Sequence, residues 1–275
     1  MHYEDYWGLK LSPFENVPDP KFYFPSPKHE EGLHRLLYGV EARKGAVLLT
    51  GEIGCGKTTI SRQFIQHLAQ ERYDTALIAN PAIDAQEFLS EVIYQFGLST
   101  SGTKLDKLHQ LNEHLLKNLQ KGKDTVIIVD EAQAIQDDSV FEELRLLLNF
   151  QLNDRFLLTM ILLGQPELNA RINAIKQFAQ RIAVRFHLPA FDLPETTRYM
   201  EFRLQTAGAD RRPIFSPDAI ELIYRNSGGI PRNINTMADL SLLSGFLERK
   251  AQIDAAVVGR VIEDFRIGEP SGTAH

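Results

Sequence analysis

Apolar positions along this chain fall into two alternating rhythms. Short, largely apolar runs stand at Ala46-Val47-Leu48-Leu49-Thr50, at Thr75-Ala76-Leu77-Ile78-Ala79-Asn80, at Thr125-Val126-Ile127-Ile128-Val129 and at 156–163, and a further strand is read at 183–188, where Arg185 and His187 interrupt the apolar residues. Runs this short and this rich in β-formers read as buried strands. Between them, apolar residues recur at three- and four-residue intervals, the spacing of one helix face. Leu33, Leu36, Leu37 and Val40 mark a helix over 29–42, and Ile60, Phe64, Ile65 and Leu68 mark another over 58–70. Phe88, Leu89, Val92, Ile93 and Phe96 mark a third, and further helices are predicted over 105–119, 140–150 and 169–178. Strands alternating with helices predict an α/β fold, a parallel sheet sandwiched by helices.

The strand rhythm stops at Pro194. Beyond that proline the chain reads as helices: 195–207, one opening at Ser216-Pro217-Asp218, a long one over 231–248, and a last one capped by Asp254 and running to 265. At the other end, Pro13, Pro18, Pro20, Pro25 and Pro27 interrupt any regular element, while Trp7, Phe14, Phe22, Tyr23 and Phe24 supply anchors. That segment is expected to pack as an extended strap on the domain behind it. The expected division is therefore a strap over 1–30, a sheet-containing core over 31–190, a small all-helical portion over 191–267, and a disordered tail over 268–275.

Composition narrows the class of protein. The chain has 275 residues, is 43% hydrophobic and 24% charged, and carries a net charge of −6. These are the values of a globular protein with room for a sizeable core, and the acidic balance argues against a general nucleic-acid coat. The single cysteine, Cys55, excludes an internal disulfide framework. Neither a signal peptide nor an apolar run near the ~20 residues of a membrane span is present, so the expectation is a cytoplasmic protein without direct membrane insertion. The histidines are scattered singly and show no zinc spacing.

The chemistry enters at Gly51-Glu52-Ile53-Gly54-Cys55-Gly56-Lys57-Thr58-Thr59. The first eight residues satisfy G-x-x-x-x-G-K-[ST], between a predicted strand and a predicted helix. A glycine-rich turn at a helix N-terminus aims backbone N–H groups and the positive end of the helix dipole at an anion. Lys57 is placed to reach the β- and γ-phosphates of a nucleoside triphosphate, and the Thr58 hydroxyl to ligate Mg²⁺. A second piece stands at the end of the 125–129 strand, where Asp130 and Glu131 follow apolar residues. Asp130 is placed to hold Mg²⁺, and Glu131 to orient and deprotonate an attacking water.

The phosphate loop and Asp130-Glu131, ahead of an all-helical C-terminal portion, resemble the AAA+ ATPases. Further stretches resemble, more narrowly, the ExeA-like ATPases (general secretion pathway protein A). They are Tyr6-Trp7-Gly8-Leu9 with Pro13-Phe14, Pro18-Asp19-Pro20, Leu36-Leu37-Tyr38-Gly39-Val40, Asp130-Glu131-Ala132-Gln133, Leu163-Gly164-Gln165-Pro166-Glu167-Leu168 and Gln180-Arg181-Ile182. The likeness covers about 3–265. Fuller members of that family continue into a membrane span and a peptidoglycan-binding region, so this chain is expected to be the ATPase portion only.

The resemblance implies a P-loop core followed by a helical lid, ATP and Mg²⁺ as cofactors, and hydrolysis to ADP and phosphate. It makes Gln165 the polar sensor of the γ-phosphate or lytic water. It makes Arg181 the arginine finger given to a neighbouring subunit, with Arg185 as the alternative. Arg232, within Gly228-Gly229-Ile230-Pro231-Arg232, becomes the second sensor. The segment around Phe24 to His29, with Tyr38-Gly39 and Ile230, is expected beside the base, although Phe22, Tyr23 and Phe24 fit equally as core anchors. A homo-oligomer is implied, acting on a protein partner in secretion, pilus or envelope assembly. The alternative is an ATP-dependent regulator of transposition that binds DNA through a basic stripe near 171–185 or 198–212.

Overall fold

A computed structural model of the chain describes residues 2–17, 19–210 and 212–268. In chain order its helices are α1 (Tyr3–Trp7), α2 (Pro27–Glu41), α3 (Lys57–His67), α4 (Ala85–Gln95), α5 (Lys104–Gln120) and α6 (Asp138–Leu147). They continue with α7 (Glu167–Ala174), α8 (Lys176–Ala179), α9 (Leu193–Thr206), α10 (Pro217–Ser227), α11 (Pro231–Leu247) and α12 (Ala255–Gly268). The strands are β1 (Ala46–Gly51), β2 (Tyr73–Ile78), β3 (Asp124–Val129), β4 (Leu158–Gly164) and β5 (Ile182–Leu188). Contacts divide the chain into two units. One holds 27–52 and 56–188; the other holds 1–26, 53–55 and 189–275.

The first unit is a five-stranded sheet in the order β2-β3-β4-β1-β5, with every pairing parallel. Every residue of β1 and β4 is buried, as is all of β3 but its first. Strands covered on both faces have no solvent side, which is why their sequences run apolar without alternation. The edge strands β2 and β5 are mixed. The core packs Phe88, Phe141 and Phe178 with Leu48, Ile127 and Met160, all fully buried or nearly so.

Register decides where the chemistry falls. Thr50 pairs with Gly164, Gly51 with Leu188, and Val129 with Leu162. The carboxyl ends of β1, β3 and β4 therefore share one edge, and the loops after them start there together. In open parallel sheets that edge is where ligands bind.

The second unit is helical. Its core joins Trp7, Phe14, Phe22 and Phe191 to Met200, Ile223, Ile234 and Leu242. The Trp7 indole N–H donates to the Leu242 carbonyl at 2.9 Å, and the Tyr6 ring meets the indole edge-on at 5.0 Å. Arg203, 6% exposed, lies over the Phe22 ring at 4.8 Å and donates to the carbonyls of Pro13 and Glu15. The N-terminal segment thus differs from the expected strap in two respects. Residues 3–7 precede the first proline and form α1, and Pro20 opens a short 3-10 turn. Its aromatic anchors join the core of the C-terminal helices.

The other departure is the predicted helix over 169–178. It forms as α7 and α8, parted at Ile175, whose φ of −99° and ψ of 82° are not helical. Among the described residues no helix is long and apolar enough to cross a membrane. The tail expected from 268 onward lies, past Gly268, outside the described residues.

Candidate nucleotide site

The phosphate loop spans the turn from β1 to α3. Gly51 closes the strand and Lys57 opens the helix. Gly54 and Gly56 take φ of +84° and +100°, where a side chain is strained. At Gly56 there is a second reason for glycine: an added Cβ would lie 2.6 Å from His29 Nε2. His29, on α2, is 4% exposed, so the loop is seated against a packed imidazole. Lys57 is 5% exposed, and its ammonium donates to the carbonyls of Gly51 at 2.8 Å and Glu52 at 3.1 Å. Its own loop folds around it as around a cation, which presets where the charge sits.

Asp130 follows β3 and is 7% exposed. Burial pushes its carboxyl above the usual carboxylate range. The N–H of Glu131 draws it back, the charge of Glu131 adds to the rise, and the Thr58 hydroxyl and Lys57 ammonium oppose it. Thr58 and Asp130, predicted as the metal pair, thus lie close enough for the hydroxyl to lower the carboxyl's pKa. One hydroxyl and one carboxylate fit Mg²⁺, which takes few protein oxygens and keeps phosphate and water ligands. Among the described residues no group of three or more His, Cys, Asp or Glu could hold a metal.

Glu131 is in the left-handed conformation, φ 51° and ψ 38°. Its N–H donates to Asp130 Oδ1 at 2.9 Å, and its Oε2 accepts from Gln133 Nε2 at 2.5 Å. The same Gln133 amide accepts, through Oε1, from the N–H of Gln165 at 3.0 Å. Gln165, half-buried after β4, is therefore tied to Glu131 by way of Gln133. Within this unit the structure brings together Lys57, Thr58, Asp130, Glu131 and Gln165.

The arginines are placed differently. Arg181 donates to the Leu148 carbonyl at 3.3 Å and Asn149 Oδ1 at 3.2 Å, and lies over the Phe156 ring at 5.9 Å. Arg185, on β5, donates to Asn169 Oδ1 at 3.3 Å. Asn169 Nδ2 in turn donates to Thr50 Oγ1 at 3.2 Å, and Thr50 Oγ1 faces His187 Nδ1 at 3.2 Å. Arg171 is bound to Asp138 at 2.7 Å and to the Ile135 carbonyl. The three guanidiniums of the 171–185 stripe thus each have partners inside the chain. In the helical unit, which includes 53–55, the Arg232 N–H donates to the Gly54 carbonyl at 3.4 Å, and its side chain is exposed.

Of the residues expected beside the base, Phe24 packs on Phe191 at 5.8 Å, Tyr199 at 5.7 Å and Phe202 at 5.6 Å. It is a core anchor. Tyr38 is 53% exposed. Sequence reasoning assigned nothing to Gln133, Asn169 or Thr50. Gln133 stood in the Asp-Glu-Ala-Gln string, but its partner is 32 positions away, so only the fold reveals its role.

The AAA domain family matches residues 40–172. General secretion pathway protein A of Aeromonas hydrophila is 41% identical over 249 residues, covering 89% of this chain and 45% of that protein. The chain thus spans less than half the length of that relative. Among solved structures, ORC2 of Aeropyrum pernix in its ADPNP-ADP complexes aligns with 93% of this chain and 72% of its own, at TM-score 0.66 and 17% identity. Drosophila ORC bound to DNA aligns with 92% and 64%, at 0.67 and 15%. The Holliday junction branch migration motor RuvB of Thermotoga maritima aligns with 86% and 70%, at 0.56 and 17%. At those identities the structural likenesses speak for the fold, that of AAA+ P-loop ATPases.

Proposed function

The chain is an AAA-domain protein of the ExeA-like (general secretion pathway protein A) family, and from that premise we propose that it hydrolyses ATP with Mg²⁺ and uses the cycle to move a protein partner in secretion or envelope assembly. The observation that carries the first half is the convergence of Lys57, Thr58, Asp130 and Glu131 at the carboxyl edge of the sheet. Backbone N–H groups of 52–58 cradle the phosphates, and Lys57 exchanges its two carbonyl acceptors for β- and γ-phosphate oxygens. Thr58 and Asp130 would hold Mg²⁺, which would supply neutralisation of the charge that develops on the phosphates. Glu131 accepts the proton of the attacking water, and Gln165 contacts that water or the γ-phosphate.

Arg232 is proposed as the second sensor, supported by its N–H contact with Gly54 inside the helical unit. For the trans arginine we propose Arg181, at the mouth of β5, with Arg185 as the alternative. Each must leave weak neutral acceptors, longer than 3 Å, to reach a phosphate. The cytoplasm is the proposed location and a homo-oligomer the proposed state. The secretion reading rests on the relative's name and on 41% identity across 89% of the chain. The alternative is a DNA-bound regulator using the 171–185 or 198–212 stripe; in the first, Arg171 is already paired with Asp138.

The test is release of phosphate from ATP by the purified chain, with and without Mg²⁺, beside binding of a fluorescent ADP analogue. We expect Mg²⁺-dependent release, and loss of both release and binding in Lys57→Ala. Equal binding by Lys57→Ala and the parent would refute the site.

A further inference from the structure

Glu131 occupies a conformation that a residue with a side chain adopts only when its surroundings over-determine it. Those surroundings are Asp130, the Ala134 N–H, which donates to the Glu131 carbonyl at 2.8 Å, and above all Gln133. The Gln133 amide has one workable orientation. Its NH₂ must face the Glu131 carboxylate and its oxygen the Gln165 N–H; turned over, it would set oxygen against carboxylate and N–H against N–H.

The amide is also fixed from behind. At Gly164 an added Cβ would lie 2.9 Å from Gln133 Oε1 and 2.6 Å from Leu168, so any larger residue would displace the amide. From the other side Arg171, its guanidinium 4.7 Å above the Phe141 ring, donates to the carbonyls of Gln133 at 3.4 Å and of Ile135. The amide is thus held by Glu131 and Gln165, and the main chain that carries it by Arg171.

We propose that Gln133 is a positioning residue for hydrolysis: it aims the Glu131 carboxylate and ties that aim to the Gln165 segment. This rests on the ATPase reading. Gln133 acts through Glu131, its side-chain partner, and not on the reacting atoms. Removing its amide frees the carboxylate to rotate, so turnover suffers while the phosphate loop, made of other residues, keeps its affinity.

The experiment is a four-way cycle of Gln133→Leu and Glu131→Asp, reading kcat, the Kd for a fluorescent ADP analogue, and the thermal midpoint. Asp at 131 is a shorter base that the Gln133 amide does not reach. Gln133→Leu should lower kcat by about tenfold or more while Kd stays within about twofold, the pattern of an interaction used in the transition state. In the Glu131→Asp background the same change should alter kcat by less than about twofold, because the partner is already lost. A kcat within about twofold of the parent, a Kd that rises in step with the lost rate, or an equal loss in both backgrounds would overturn the proposal. Should the leucine variant fail to fold, Gln133→Met, of similar length but with no donor, is read by the same criteria. A parent chain that binds nucleotide and releases no phosphate would instead overturn the ATPase reading itself, and is seen before any variant is made.

Discussion

Replacing Gly56 by alanine attacks the phosphate cradle at the point where two independent costs meet. The backbone there has φ +100°, and a left-handed residue with a Cβ costs about 1–2 kcal/mol. The new Cβ would also stand 2.6 Å from Nε2 of His29, a ring 4% exposed with packed neighbours. Overpacking of that kind costs about 1–3 kcal/mol. The sum is roughly 2–5 kcal/mol. The folded chain either carries that strain, lowering its stability, or escapes it by abandoning the loop conformation, lowering nucleotide affinity. Urea unfolding and titration with a fluorescent ADP analogue together capture both routes, and about 1.4 kcal/mol corresponds to each tenfold in Kd. His29→Ala combined with Gly56→Ala separates the terms: the steric part is recovered and the backbone part stays. If Gly56→Ala matched the parent within about 0.5 kcal/mol in both measurements, the account of the loop would be refuted.

Two further outcomes are expected. Trp7→Ala removes an indole 2% exposed, with its N–H bonded to Leu242. It should cost about 3–5 kcal/mol in chemical unfolding, and a loss under about 1 kcal/mol would mean that α1 is not part of the helical core. If Arg181 is supplied to a neighbour, specific ATPase activity should rise with protein concentration, and Arg181→Ala should lower kcat by a factor on the order of 10³ while Arg185→Ala leaves it closer to the parent. A specific activity that is flat with concentration would remove the trans arginine.

The inner strands β1, β3 and β4 were legible because burial on both faces leaves a continuous apolar signature, and the phosphate loop because its residues are contiguous. Asp130 and Glu131 were legible for the same reason: they follow directly on β3. What the sequence hides is whatever depends on distant pairing. The order β2-β3-β4-β1-β5 has no local marker. The aromatic residues of 1–26 announce burial without saying against what, and they close on the C-terminal helices. The break at Ile175 carries neither glycine nor proline, and the apolar spacing of Leu168, Ile172, Ile175 and Phe178 runs straight through it. Gln133 reads as a neutral residue in a turn until the fold sets Gln165 beside it.

Glu131 is proposed as the base in a site whose nucleotide is held by other groups. Glu131→Gln, measured for phosphate release and for ATP binding in the same preparation, tests it most directly. Binding should stay within about twofold of the parent while hydrolysis slows by about 10²–10⁴. Hydrolysis at the parent rate with ATP bound as before would contradict it.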